Sequence, residues 1–262
     1  MSLHIRISDT DIHYVRYESG TQSQFQFQTF PLRPQLPLTV NLRETNQAMQ
    51  FQPQADERIQ LLVSAPVTLV PLAEFQEEDV TDTYNFCFTD DQKRSVFYDT
   101  VPAANVVLLF ALAQNTCHAI EEVFGQVRYT SSLMPVVQHW ATKGIDTTDS
   151  ARVFVYSHEG TIDVAVFEEK RLLMLNSYRV HSLSDVIYFT FNLVRHLNLD
   201  LKNIPFFIAG TSQLRDPLVS EFHKYAQRVY PIHPTADFNR HPATTTEGVP
   251  YDLMCAFRTE RK

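Results

Sequence analysis

The chain reads as an α/β protein of two related lobes, each a mixed five-stranded sheet flanked by helices, and three features of the sequence carry that reading. Residues 151–232 run as three short strands, a helix, a strand, a second helix and a final strand. The N-terminal half can be read as a looser copy of that order. Residues 106–112 are continuously apolar, as expected for a strand buried on both faces. Strand–helix–strand alternation implies a parallel portion of sheet reached by right-handed crossovers. With 262 residues, 44% of them hydrophobic and 30 of them Phe or Tyr, the chain can fill two such cores.

In the first lobe, Leu3, Ile5 and Ile7 alternate with polar positions, a turn follows at Ser8, Asp9, Thr10 and Asp11, and residues 12–17 alternate again. Gln24-Phe25-Gln26-Phe27-Gln28 has a strict period of two and predicts a half-buried third strand. Residues 39–49 fit a short helix; residues 59–64 and 67–70 fit strands parted by Pro66. Residues 74–82 read as an acidic helical start and residues 95–101 as a strand. Asn115 is placed to cap a helix running to Phe124, which Gly125 ends with a left-handed backbone. A strand at residues 127–129 and a helix at 133–142 complete the lobe. The polar, turn-rich residues 143–149 mark the boundary. The expected organisation is a first lobe over residues 1–145 with an inserted subdomain, a second over 151–233, and a tail over 234–262 that docks back on a lobe.

The second lobe is cleaner. Residues 153–155 form a buried strand; Ile162, Val164 and Val166 line one face of the next, leaving Asp163 to face water. The turn at Glu168-Glu169-Lys170 leads into a third strand at 172–178. Ser182 and Asp185 form a capping pair ahead of a helix whose stripe is Leu183, Val186, Ile187, Phe191, Val194 and Leu197. Residues 204–209 are a short buried strand. Leu218, Val219, Phe222 and Tyr225 mark a second amphipathic helix, and residues 229–232 a last strand. Residues 234–248 read as a polar connector, followed by an apolar segment and a frayed end at 258–262.

Composition excludes several function classes. A formal charge of −8 argues against nucleic-acid binding, which rests on neutralising phosphates. No signal peptide and no membrane-spanning run of roughly 18–20 apolar residues is expected. Cys87, Cys117 and Cys255 lack metal-ligand spacing and suit a reducing, cytoplasmic setting. No phosphate loop of the Gly-x-x-x-x-Gly-Lys type, no Gly-x-Gly-x-x-Gly turn, no His-Glu-x-x-His helix and no Cys-x-x-Cys pair occurs.

Three segments carry a family resemblance. Residues 106–113 with the helix at 115–124, the block 151–180, and the turn at 206–214 resemble, in that order, the interlobe strand and helix, phosphate hairpin and adenosine turn of the actin-like ATPase superfamily, nearest its pilus-assembly and cell-division branch. The whole chain also resembles an uncharacterised Bacteroidetes family. The resemblance implies a duplicated ribonuclease-H-like fold with a nucleotide site in the interlobe cleft. Carried onto this sequence, that site would use Asp9, Asp11, His158, Gly160, Thr161, Ser182, Asp185, Gly210, Thr211 and Ser212 to hold Mg-ATP.

The departures from that pattern concern the turns. Active relatives use glycine-rich hairpins so that backbone N–H groups approach the phosphates, with aspartates managing magnesium. Here Ser8-Asp9-Thr10-Asp11 has no glycine, Ser157-His158-Glu159-Gly160-Thr161 keeps one and lacks the usual Asp, and Ala209-Gly210-Thr211-Ser212 keeps one where several are typical. Asp9, Asp11 and Glu159 would also face a polyphosphate, and a like-charge pair at about 4 Å costs about 4 kcal/mol at an effective dielectric of about 20. A magnesium ion would reverse that sign.

The leading expectation is therefore a cytoplasmic, non-catalytic scaffold or adaptor with a degenerate nucleotide site and no cofactor. Its partner would be another protein, with a second copy of the chain as one option, and neither nucleic acid nor direct membrane insertion. The alternative is an ATP-binding switch or weak Mg-dependent ATPase. A third class, a metal enzyme, would use His118 with Glu121 and Glu122, which share a helix; an exposed helical surface explains them more simply. Cys117 beside His118 reads as a buried structural thiol, and Trp140 as an interlobe anchor or core residue.

Overall fold

A computed structural model describes residues 2–18, 24–51, 57–89, 92–143 and 151–259. The chain forms two compact units: residues 1–70, 74–100 and 107–134, and residues 71–73, 101–106 and 135–262. Most of the polar stretch read from sequence as the boundary, residues 144–149, lies outside the described residues, as do 260–262 at the expected frayed end.

The first unit opens with β1 (Ser2–Ile7), β2 (Asp11–Glu18) and β3 (Gln24–Pro31), followed by α1 (Leu38–Ala48) and β4 (Arg58–Val63). Then come β5 (Val67–Pro71), two 3₁₀ turns, α2 (Val80–Cys87), β6 (Arg94–Val101), a third 3₁₀ turn, β7 (Val106–Ala113), α3 (Gln114–Phe124) and β8 (Arg128–Ser131). The main sheet has the order β3-β2-β1-β4-β8. Antiparallel pairing joins β1 to β2 and β2 to β3; β4 runs parallel to β1 and to β8. A separate three-stranded sheet, β5-β7-β6, is inserted between β4 and α3.

The alternation in β1 predicts a half-buried strand, yet His4 and Arg6 are as fully buried as Leu3 and Ile5. The cause is position: β1 is the middle strand of five, so both of its faces are covered. On one face Leu3, Ile5, Ile12, Tyr14, Leu42, Leu61 and Ile120 form a continuous core. Tyr14 is hydrogen-bonded there to Thr45 of α1 at 2.8 Å, while Asn41 ties the incoming loop by accepting from Arg33 N and donating to Arg33 O. Two local expectations are corrected. The acidic stretch opens as two 3₁₀ turns, so that α2 begins only at Val80. The cap of α3 is Ala113, not Asn115, because β7 runs directly into the helix and Gln114 N donates to Lys93 O. Gly125 does end α3 at φ +71°.

The second unit holds α4 (Leu133–Trp140) for nearly all its length, then β9 (Ala151–His158), β10 (Thr161–Glu168), β11 (Arg171–Arg179), α5 (Leu183–His196), β12 (Phe206–Ala209), α6 (Ser212–Phe222) and β13 (Val229–Pro231). Its sheet order, β11-β10-β9-β12-β13, repeats the first: two antiparallel pairings, then two parallel ones. One face of the sheet, with Val153, Val155, Ile162, Val164 and Val166, packs on Val186, Phe191 and Val194 of α5 and Leu218 and Phe222 of α6. Leu183 and Tyr225, assigned to apolar stripes from their spacing, are 43% and 53% exposed because each sits at or beyond a helix end.

The connector predicted at 234–248 contains two single-turn helices, α7 (Pro234–Asp237) and α8 (Pro242–Thr245), each started by a proline whose fixed φ suits the first helical position. They lead into α9 (Tyr251–Thr259), whose side chains at Tyr251, Leu253, Cys255 and Phe257 are buried. Trp140 stacks on Phe154 at 5.2 Å and donates its indole N–H to the Tyr251 hydroxyl at 3.1 Å. Lys143 Nζ lies 2.8 Å from both Asp237 oxygens, and His139 Nε2 lies 3.3 Å from one. Burial alone would raise the Asp237 pKa, but these two partners outweigh it and hold the carboxyl below its ordinary value.

The Tyr251 hydroxyl is the acceptor for a buried indole N–H, so Tyr251→Phe should leave that donor unsatisfied and cost about 1–3 kcal/mol. Urea unfolding monitored by Trp140 fluorescence measures it; an unchanged midpoint would mean the bond contributes nothing to holding α9.

Candidate functional site

The first-lobe turn joins β1 to β2 through Ser8, Asp9 and Thr10. Three of its backbone donors are used internally: Ser8 N donates to Asp11 O, while Thr10 N and Asp11 N donate to Ser8 Oγ at 3.3 and 3.1 Å. Thr10 Oγ1 donates in turn to Asp11 Oδ2 at 2.6 Å. A loop that cradles phosphate must present free N–H groups to the anion, and here a serine oxygen takes two of them.

In the second lobe the loop between β9 and β10 has two residues, Glu159 and Gly160, at φ +46° and +72°. That left-handed pair matches the twist of a tight hairpin. Gly160 O accepts from Val180 N, which places the turn beside the entrance to α5. There Ser182 Oγ accepts from Asp185 N, and Asp185 Oδ2 accepts from Ser182 N and His181 N. These backbone bonds, led by that from His181, hold the Asp185 carboxyl below its usual range. The capping box read from the sequence is present, and it uses the groups a ligand would need.

Gly210 leaves β12 at φ +137°, and a Cβ there would sit 2.7 Å from the carbonyl oxygen of Ser157 in β9. The glycine is required by the approach of two backbones. Thr211 and Ser212 follow at the start of α6, exposed, and Thr211 makes no side-chain cap bond. Within the second lobe, then, His158, Gly160 and Thr161 share one turn, Val180 links it to Ser182 and Asp185, and Gly210 meets the end of β9. Asp9 and Asp11 belong to the first-lobe turn.

Asp163 does not face water. It is 2% exposed, with Ser177 Oγ donating to Oδ1 at 2.5 Å and His158 Nε2 at 2.7 Å from Oδ2. Asp163 lies opposite Tyr156 and Ser177 on the neighbouring strands, so both contacts are cross-strand. Its side of the sheet carries Phe154, Tyr156 and Phe167, and α4 and α9 cover that side through Trp140 and Tyr251. Serine and imidazole both bind the carboxylate, whereas a relay that activates a hydroxyl needs the imidazole on the hydroxyl itself.

His118, Glu121 and Glu122 are exposed on α3; Glu122 pairs with Arg43, and Tyr129 Oη donates to Glu121. No group of three or more His, Cys, Asp or Glu placed to hold a metal occurs among the described residues. Cys117 is buried, and burial raises its pKa, which disfavours the reactive thiolate.

Sequence reasoning missed Asp99 of β6. Its carboxylate is 5% exposed and accepts from Ser131 N at 2.7 Å. Burial pushes its pKa up to about 6, against the lowering effects of that bond and of Arg128. The only sequence signal is an acidic residue at an inward position of a short strand.

Gly160→Ala should cost about 1–2 kcal/mol through its left-handed turn, and Gly210→Ala about 2–5 kcal/mol because the Ser157 carbonyl must also move. Chemical denaturation without any ligand tests the order, and equal losses would refute the close-approach account. Asp99 holds its proton more tightly folded than unfolded, so its contribution is full below about pH 4 and is lost as pH rises through about 6. Asp99→Asn should therefore gain on the natural protein by about 2–3 kcal/mol between pH 4 and 7.5, read from urea midpoints; parallel profiles would show that Asp99 titrates normally.

Among the solved structures that resemble the chain, two are similar over nearly its whole length. One is a Bacteroides thetaiotaomicron protein described as having an actin-like ATPase fold and unknown function; it is 23% identical with a TM-score of 0.80, over 94% of this chain and 96% of that one. The other is the PilM-PilN type IV pilus biogenesis complex, 15% identical with a TM-score of 0.57, covering 98% of each chain. No curated protein matches the sequence. The two repeated sheets and these likenesses give the chain the actin-like ATPase fold. Residues 1–229 match the family described as "Protein of unknown function (DUF3822)", and the chain belongs to that family.

Proposed function

We propose that the protein is a non-catalytic actin-like scaffold or adaptor that binds another protein and has lost the nucleotide site of its fold. The observation that carries this reading is the self-closed first-lobe turn, in which Ser8 Oγ takes the amide protons of Thr10 and Asp11. The capping box at Ser182 and Asp185 and the backbone contact at Gly210 support it, since each gives a suspected ligand-binding residue a purely conformational task. A protein partner is supported by the likeness to the PilM-PilN complex.

No helix among the described residues is long and apolar enough to cross a membrane. Cys87, Cys117 and Cys255 form no disulfide, which favours a reducing compartment, and we place the protein in the cytoplasm on that ground.

A second reading, a Mg-ATP-dependent switch, is favoured by one feature. The carboxyl ends of the parallel strands β9 and β12 bring His158, Gly210, Thr211 and Ser212 to one edge, where ligands of open α/β sheets bind. Calorimetry with Mg-ATP and Mg-ADP separates the two. The scaffold reading expects no heat of binding at micromolar nucleotide; a dissociation constant in the micromolar range would replace it with the switch.

A further inference from the structure

Beside the first turn of α6 and the start of the tail lies a cavity of about 610 Å³, lined among others by Arg215, His233, Thr235, Asn239 and Arg240. Two guanidinium groups in one concavity are unusual company in a chain of net charge −8. We propose that this cavity binds the phosphate group of a small molecule.

The Arg215 guanidinium is held in place by an ion pair and a backbone carbonyl. Its side chain is 11% exposed, with Nε bound to Asp216 Oδ1 at 2.8 Å and Nη1 donating to Ile232 O at 2.9 Å. Those bonds fix the plane of the guanidinium and leave Nη2 to meet an anion. Asp237, the other nearby carboxylate, is occupied by Lys143 and His139. Arg240 is exposed, and among the described residues no carboxylate pairs with it. Planar, fork-shaped donors suit the several oxygens of a phosphate. The Asn239 amide and the His233 imidazole add polar groups on the same wall.

The backbone holds the arginine-bearing wall in one conformation. Asn239 and Arg240 are consecutive left-handed residues at φ +50° and +53°. Asparagine tolerates that region, whereas arginine gains nothing from it. Arg240 N donating to Thr235 O and His241 N donating to Phe238 O hold the strained pair. The volume exceeds that of a phosphate and lies in the range of small-molecule sites, which leaves room for an organic body.

This inference does not rest on the scaffold reading. The test is calorimetry of the full chain with inorganic phosphate, ribose 5-phosphate and succinate at constant ionic strength, on the natural protein and on Arg240→Gly. Glycine at 240 removes the guanidinium and relieves the left-handed strain, so the variant should melt no lower than the natural protein while binding phosphate at least about tenfold more weakly. Tighter binding of ribose 5-phosphate than of phosphate identifies an ester as the ligand, and the reverse order identifies the free anion. The proposal is overturned by the absence of binding up to about 10 mM phosphate or ester, by unchanged affinity in Arg240→Gly, or by succinate binding as well as phosphate.

Discussion

The parallel pairing of β9 with β12 is the contact on which the second lobe depends. Its register, Val153 opposite Phe206 through Tyr156 opposite Ala209, puts β9 in the middle of the sheet with β10 on its other edge. A strand so placed has its backbone groups paired on both sides and must bury both faces. One face is met by α5 and α6; the other, through Phe154 and Tyr156, by Trp140 and Tyr251. The same pairing dictates Gly210, because the chain leaving β12 crosses the end of β9 at a distance that admits no side chain. In the first lobe β1 is placed likewise, with Ile5 between Tyr14 of β2 and Leu61 of β4.

Because the two lobes share strand order and polarity, their turns can be compared position for position. The turn after β1 closes through a serine hydroxyl; the turn after β9 closes through two left-handed residues. Both make the same reversal between antiparallel strands in the same sheet topology. One topology thus accepts two different turn closures, so the chemistry at a turn is free to change while the fold, set by burial along the central strands, stays the same.

Much of this architecture was legible because it rests on local rules. The strict alternation of residues 24–28, the apolar run 106–112 and the Ser182–Asp185 box each correspond to an element close to where spacing puts it. What spacing could not show is what covers a face. Asp163 alternates with Ile162 and Val164 and so reads as solvent-facing, yet α4 and α9, from distant parts of the sequence, bury it. Asp99 and the buried pair His4 and Arg6 were hidden for the same reason. Asn115 misled in the opposite way: it is a good cap residue, but the helix starts at Gln114 and places Asn115 inside its first turn. The single-turn helices of the tail are shorter than any periodicity that could announce them. Of the candidate site, the members that cap or turn were legible from residue type, whereas the cavity at Arg215 and Arg240 depends on the tail folding back and left no mark on the sequence.

The scarcity of glycine, six in the whole chain, has a more exact meaning once the backbone is known. Among the described residues, Asn105, Glu159, Glu169, Asn198, Asn239 and Arg240 all take left-handed conformations. Tight turns in this chain therefore do not need glycine. What only glycine supplies is close approach, and Gly210 is retained where that need is absolute. By the same logic, the absence of glycine from Ser8, Asp9 and Thr10 does not stop the turn from forming; Ser8 Oγ closes it by accepting from the amides of Thr10 and Asp11. The proposed loss of a triphosphate site accordingly rests on those spent donors, and it does not depend on how many glycines the chain holds elsewhere.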